Sequence, residues 1–142
     1  MDAQLSPDGT RVATGGMHRT ACVWVVDTGQ ALTPALRHGQ TINHVRFSPD
    51  GRCVATASFD HTARVWDAAT GAAITPPLKH ENAVIDAQFS PDGRRVVTAS
   101  ADKTIGMWLL SGQLLRTIAE HADCVRGLVA LRSGGFVSCS ND

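Results

Sequence analysis

A 42-residue period constrains this chain more than any other property of its sequence. Ser-Pro-Asp-Gly begins at Ser6, Ser48 and Ser90, and Trp24, Trp66 and Trp108 recur at the same spacing. Two further sets keep step with them. His38, His80 and His121 step by 42 and 41, as do the Gly-containing pairs that begin at Thr28, Thr70 and Ser111. Separate residue sets in phase make a tandem repeat. A repeat of about 40 to 45 residues is the size of one small sheet, which cannot bury both of its faces without neighbours.

Local chemistry predicts four short antiparallel strands per unit. With Pro second and Gly fourth, each Ser-Pro-Asp-Gly reads as a type I turn closing a hairpin. The alternating segments Val45-Arg46-Phe47 and Ala87-Gln88-Phe89 lead in, and small or β-branched runs, residues 54–58 and 96–100, lead out. Turns at Phe59-Asp60-His61 and Ala101-Asp102-Lys103 precede third strands over residues 62–66 and 104–108, the latter weakened by Gly106. Ala73-Ile74-Thr75 or Leu114-Leu115-Arg116 then supplies a fourth. The units are residues 1–38, 39–80, 81–121 and a two-strand remainder, 122–142. The expected fold is all-β, an incomplete β-propeller of four-stranded antiparallel blades. Closed rings hold about four to eight blades, so about 3.4 units do not close alone. A longer parent chain, or self-association of copies, would complete the circle.

Charge narrows the partners. Thirteen Lys and Arg balance thirteen Asp and Glu without a basic cluster, which offers nucleic acid or an anionic membrane no electrostatic footprint. The apolar run at residues 22–26 is far short of the roughly 20 residues of a membrane-spanning helix. Met1-Asp2-Ala3-Gln4 has no signal-peptide pattern, and a cytoplasmic location is expected. Cys22, Cys53, Cys124 and Cys139 form no Cys-x-x-Cys pair and read as buried free thiols. His18, His44 and His61 match no metal-ligand spacing, so neither metal nor cofactor is expected.

The recurring polar residues form sets. His38, Ser58, Asp60 and Trp66 make one, His80, Ser100, Asp102 and Trp108 a second, and His121, Ser140 and Asp142 begin a third. Ser, His and Asp suggest a nucleophilic triad, but a triad serves one substrate site beside one oxyanion hole. A set in every unit instead reads as a structural network in which indole, hydroxyl, imidazole and carboxylate satisfy one another. No Gly-rich phosphate loop or nucleophile elbow accompanies it. With Trp66-Asp67, the pattern resembles the WD-repeat (WD40) β-propellers over essentially the whole chain, and the family's tetrad maps onto the first two sets. That resemblance implies a non-catalytic protein–protein interaction scaffold. Departures are Arg37, Lys79 and Glu120 where Gly is usual before the His, and Val25 and Leu109 after Trp24 and Trp108. Gly16 and His18 stand where Ser and Asp are expected, with no preceding His, so the first blade is expected to lack the network and be less rigid.

In the resembled family, partners sit on the face made by fourth-to-first-strand connections and by turns between strands two and three. Those positions are Met17, Thr41, Phe59, Glu81, Ala83, Ala101, Ala122, Cys124 and Asn141. Phe59 is the sharpest candidate. At a turn tip it either docks a partner, as large side chains at interfaces do, or packs on a neighbouring blade. The Ser-Pro-Asp-Gly turns with the segments at residues 32–38 and 74–80 look like the WD arrays of bacterial signalling proteins, often joined to kinases. Residues 101–104, 121–128 and 136–142 are instead similar to the phospholipase-activating, ubiquitin-binding WD-repeat family, which implies ubiquitin as a partner in protein turnover.

Overall fold

The computed structural model describes residues 2–119, 121–131, 133 and 135–142. Glu120, one of the departures noted above, lies outside them. Strands β1 (Asp2–Leu5), β2 (Arg11–Gly15), β3 (Thr20–Val25) and β4 (Leu36–Arg37) form the first sheet. The second holds β5 (Ile42–Phe47), β6 (Cys53–Ser58), β7 (Thr62–Asp67) and β8 (Leu78–Lys79). The third holds β9 (Val84–Phe89), β10 (Arg95–Ser100), β11 (Ile105–Leu109) and β12 (Leu114–Ile118), and β13 (Val125–Ala130) pairs with β14 (Phe136–Ser140). Neighbouring strands are antiparallel and follow chain order. Three four-stranded sheets and a pair make an incomplete propeller-like array, as the period implies.

Each Ser-Pro-Asp-Gly joins the first and second strands of its sheet. The Gly51 N–H donates to Ser48 O at 2.9 Å, and Gly51 holds a φ of 70° that a residue with a Cβ adopts only under strain. Asp50 Oδ1 accepts the Ser48 hydroxyl at 2.6 Å and the Arg52 N–H at 3.0 Å, while Ser48 Oγ accepts the Cys53 N–H at 2.9 Å. The Asp thus fastens the turn and the Ser fastens the strand that leaves it.

The fourth strand of the second sheet departs from the sequence expectation. Ala73 makes only an isolated bridge to Trp66, and the strand itself is Leu78–Lys79. Pro76 and Pro77 carry no N–H and split the ladder. The Thr75 hydroxyl, which accepts the Val65 N–H at 3.3 Å, takes over where the ladder is interrupted. Without prolines, β12 runs over five residues.

Successive sheets stack face to face and share a core. Val54 of β6 packs towards the first sheet and Ala55 and Ala57 towards the third, the period-2 alternation of a strand covered on both sides. Two-sided burial explains why β6 and β10 are rich in Ala, Ser, Thr and Val. Between the first two sheets one strand position leaves no room for a side chain. A Cβ on Gly15 would lie 2.7 Å from Val45 Cγ1 and 2.9 Å from Ile42 Cγ2, whereas Ala57 and Ala99 occupy the equivalent places in the next two sheets. Gly106 has a similar role: its missing Cβ would lie 2.5 Å from Trp108 Nε1, so the strand gives up a side chain to admit the indole.

Side chains on the first strands add polar ties between sheets that the sequence reading missed. Asp2 Oδ2 accepts the Val45 N–H at 3.0 Å and Arg46 Nη1 at 2.6 Å. Asp86, 3% exposed, reaches forward in the same way and accepts the Leu128 N–H at 3.0 Å. His44 stands at the equivalent position of the second sheet, and there Asp86 Oδ1 accepts its neighbour's N–H at Ala87 instead, at 2.8 Å. One signal was available: Asp2 and Asp86 lie two periods apart, with a different residue type between them.

Candidate functional site: a buried network and the edge it braces

The connection between β4 and β5 carries His38 out of the first sheet and into the second. There its Nδ1 donates to Asp60 Oδ2 at 2.9 Å, and its Nε2 accepts the Thr56 hydroxyl at 2.7 Å. Thr56 Oγ1 in turn accepts the Trp66 indole N–H at 2.9 Å. An ionised carboxylate only accepts and an indole only donates, so every proton in this chain points from Trp66 towards Asp60. The third sheet repeats it: His80 to Asp102 at 2.9 Å, His80 to Thr98 at 2.7 Å and Trp108 to Thr98 at 2.9 Å. The imidazole edges meet the indoles at centroid distances of 6.2 and 6.1 Å.

Protonation states follow from the environment. Burial disfavours the Asp60 charge, but the Thr62 hydroxyl, the Gly39 N–H and His38 outweigh it and hold the carboxyl at about 2. Burial lowers the His38 pKa below the ordinary histidine value against the pull of Asp60, so the ring is neutral at pH 7. A neutral imidazole can both donate and accept, as the chain of bonds requires.

The structure corrects one member of each set. The Ser58 hydroxyl forms no hydrogen bond with His38 or Trp66; it donates to Thr41 O at 2.9 Å and accepts the Asp60 N–H at 3.1 Å. Ser100 does the same with Ala83 O, at 3.1 Å, and the Asp102 N–H, at 3.0 Å. Register is the reason. Val54 lies directly opposite Trp66, so Thr56 is its diagonal neighbour and Ser58 is one pair further away. In the last pair, His121 likewise bonds Ser138 at 2.8 Å and not Ser140, while Asp142 lies 3.4 Å from His121 Nδ1 and accepts the Ala122 N–H at 2.6 Å. The first sheet retains more than expected: Trp24 Nε1 donates to Thr14 Oγ1 at 2.8 Å, so half of the network survives there.

Thr56, His38 and Asp60 have the distances of a nucleophilic triad but not its access. Thr56 is 0% exposed, and its oxygen already holds an indole proton. The arrangement braces a turn. Asp60 Oδ2 accepts the Gly39 N–H at 2.7 Å, and Asp60 Oδ1 accepts the Thr62 N–H at 3.0 Å, which fixes the β4–β5 connection to the β6–β7 turn. On that braced turn Phe59 is 43% exposed; Met17, on the equivalent turn of the first sheet where His18 replaces the carboxylate, is 72% exposed. Glu81 and Ala122 are exposed and Thr41, Ala101 and Cys124 half-buried at the same edge. Asn141 is exposed with its Oδ1 accepting Arg126 Nε at 3.0 Å. Ala83 is a correction: at 6% exposure, it is covered where its segment enters β9 and offers a partner nothing. Among the described residues no three His, Cys, Asp or Glu side chains gather as metal ligands, and His18, His44 and His61 stay separate.

The chain belongs to the WD40 family: the WD domain, G-beta repeat matches residues 1–25, 32–67 and 76–108. The second and third matches begin in the region of one sheet's fourth strand and end within the third strand of the next. His38, set between two sheets, serves the second in keeping with that stagger. Repeats of this family mediate binding to other proteins. No curated protein matches the chain.

Proposed function

We propose that the chain is a non-catalytic scaffold that holds other proteins on the edge carrying Met17, Phe59, Glu81, Ala101 and Ala122. One observation carries this reading. Phe59 is a large apolar side chain, 43% exposed, on a turn whose backbone is fixed from below by Ser58, Asp60 and the Thr41 carbonyl. A rigid turn presenting an aromatic group loses little conformational entropy on docking, the property that makes such side chains binding anchors.

The test compares proteins that copurify with the native chain and with a Met17→Ala, Phe59→Ala double variant. Loss of specific partners with an unchanged melting curve supports the scaffold edge. Retention of every partner by the double variant refutes it. Ubiquitin, the partner implied by the resemblance of residues 101–142, is the first ligand to titrate, with the Phe59 and Asn141 amides as NMR reporters.

A further inference from the structure

We propose that the third sheet, on the face it turns towards the second, carries a slot for an arginine side chain of a partner polypeptide. A cavity of about 200 Å³ opens there, lined by Lys79, Glu81, Asp102, Gly106, Trp108 and Thr117 among others. Trp108 packs with Ala55, Val65 and Leu78 of the second sheet, so the cavity lies where two four-stranded sheets meet in the middle of the array. About 150 Å³ suffices to admit a benzene ring, and a guanidinium is smaller than that.

The second sheet fills the equivalent place from its own sequence. Arg64 and Gly106 lie one period apart, each two residues before its Trp. The Arg64 guanidinium carbon sits 5.9 Å from the centre of the Trp66 ring, and Arg64 Nε is buried without a hydrogen-bond partner. One period before Glu81 stands Gly39, which brings no carboxylate to it. The third sheet holds the reverse. Gly106 puts no side chain beside Trp108, and Glu81 brings an exposed carboxylate that is in no ion pair among the described residues. The cation and its acceptor are thus divided between two successive sheets. Charge agrees with that division, since Glu81 and Asp102 outnumber Lys79 at the third sheet's slot, whereas Arg37 and Arg64 outnumber Asp60 at the equivalent positions of the second. Asp102 already accepts from His80, Thr104 and the Glu81 N–H, so recognition falls to the Glu81 carboxylate, with the Thr117 hydroxyl on the outer wall. A planar guanidinium both stacks on an indole and meets a carboxylate through a fork of donors, which an ammonium does not. This inference goes beyond the scaffold reading, since it stands whether or not Phe59 and Met17 touch a partner.

The probe is N-acetylarginine amide, followed by the three indole N–H signals in a ¹H–¹⁵N spectrum of the full chain. The Trp108 signal is expected to shift saturably in the millimolar range while Trp24 and Trp66 stay fixed and report an intact fold. The citrulline counterpart, which keeps the shape without the charge, should bind at least about threefold more weakly. Glu81→Gln, a change on an exposed side chain, should weaken binding of the arginine probe about two- to fivefold, and Lys79→Gln should strengthen it. A silent Trp108 signal, an equal response to citrulline, unchanged binding in Glu81→Gln, or tighter binding of free L-arginine than of the blocked residue overturns the proposal.

Discussion

Replacing Thr56 by Val isolates the one atom on which the buried network turns. Valine has nearly the shape of threonine, so packing is kept while Oγ1 disappears. Two bonds go with it, the 2.9 Å bond from Trp66 Nε1 and the 2.7 Å bond to His38 Nε2, and both partners stay buried. An unsatisfied buried polar group costs about 1–3 kcal/mol, and burying a methyl in place of the hydroxyl returns about 1 kcal/mol. The net loss is about 1–5 kcal/mol, a fall in Tm of roughly 3–15 °C for a chain of this size. Thr98→Val should cost the same. Thr14→Val, which removes only the indole bond on a half-buried face, should cost about 1 kcal/mol. Ser58→Ala loses bonds to loop backbone at 2.9 and 3.1 Å and should cost about 1–2 kcal/mol. The assay is thermal and urea unfolding by circular dichroism at pH 7. A Thr56→Val protein that melts within about 2 °C of the native one, or a Ser58→Ala protein that is the less stable of the two, refutes the assignment of Thr56 as the bridge.

Three further outcomes follow from the same structure. Stability should fall with pH in two stages: below about 6.5, where unfolded His38 takes a proton that the folded ring resists, and again from about 4 towards 2, where the unfolded Asp60 carboxyl protonates before the folded one; unfolding free energies that stay level from pH 7 to pH 3 would contradict both shifts. Gly15→Ala should cost about 1–3 kcal/mol through contact with Val45 and Ile42, read as a lowered urea midpoint, and a neutral result would show that the first two sheets can part freely. Asp86→Ala should raise hydrogen exchange at the Leu128 amide, its 3.0 Å partner, well above that at the Val45 amide, which Asp2 holds; equal protection in both proteins would remove the tie between the third sheet and the last pair.

Much of the fold was legible because it is written in local chemistry. Ser-Pro-Asp-Gly specifies its turn by its own side chains, and period-2 runs such as residues 96–100 specify strands whatever lies around them. Thr56 was not legible. In Thr-Ala-Ser, both hydroxyls recur at 42 residues and both point to the same side of the strand, so only the register that sets Val54 against Trp66 tells them apart. The Pro76-Pro77 break was visible in the sequence, but its effect was not, since a strand of two residues beyond it becomes recognisable only once Ala63 has Leu78 as a partner. The inward ties of Asp2 and Asp86 depend on the separation of adjacent sheets, a distance that no local pattern encodes. The edge position of Phe59 follows from the turn, whereas the burial of Ala83 follows from packing around the start of β9.

The glycine at position 15 also limits how an array of this kind can be copied. The second and third units meet their successors across an alanine, so duplicating either one would lengthen the array without remodelling the contact. The first unit is not interchangeable with them. Transplanted inward, it would leave a methyl-sized hole worth about 1 kcal/mol, and an alanine-bearing unit moved into its place would collide with Val45. Recombination among such genes would therefore be tolerated in the middle of the array and penalised at its first seam.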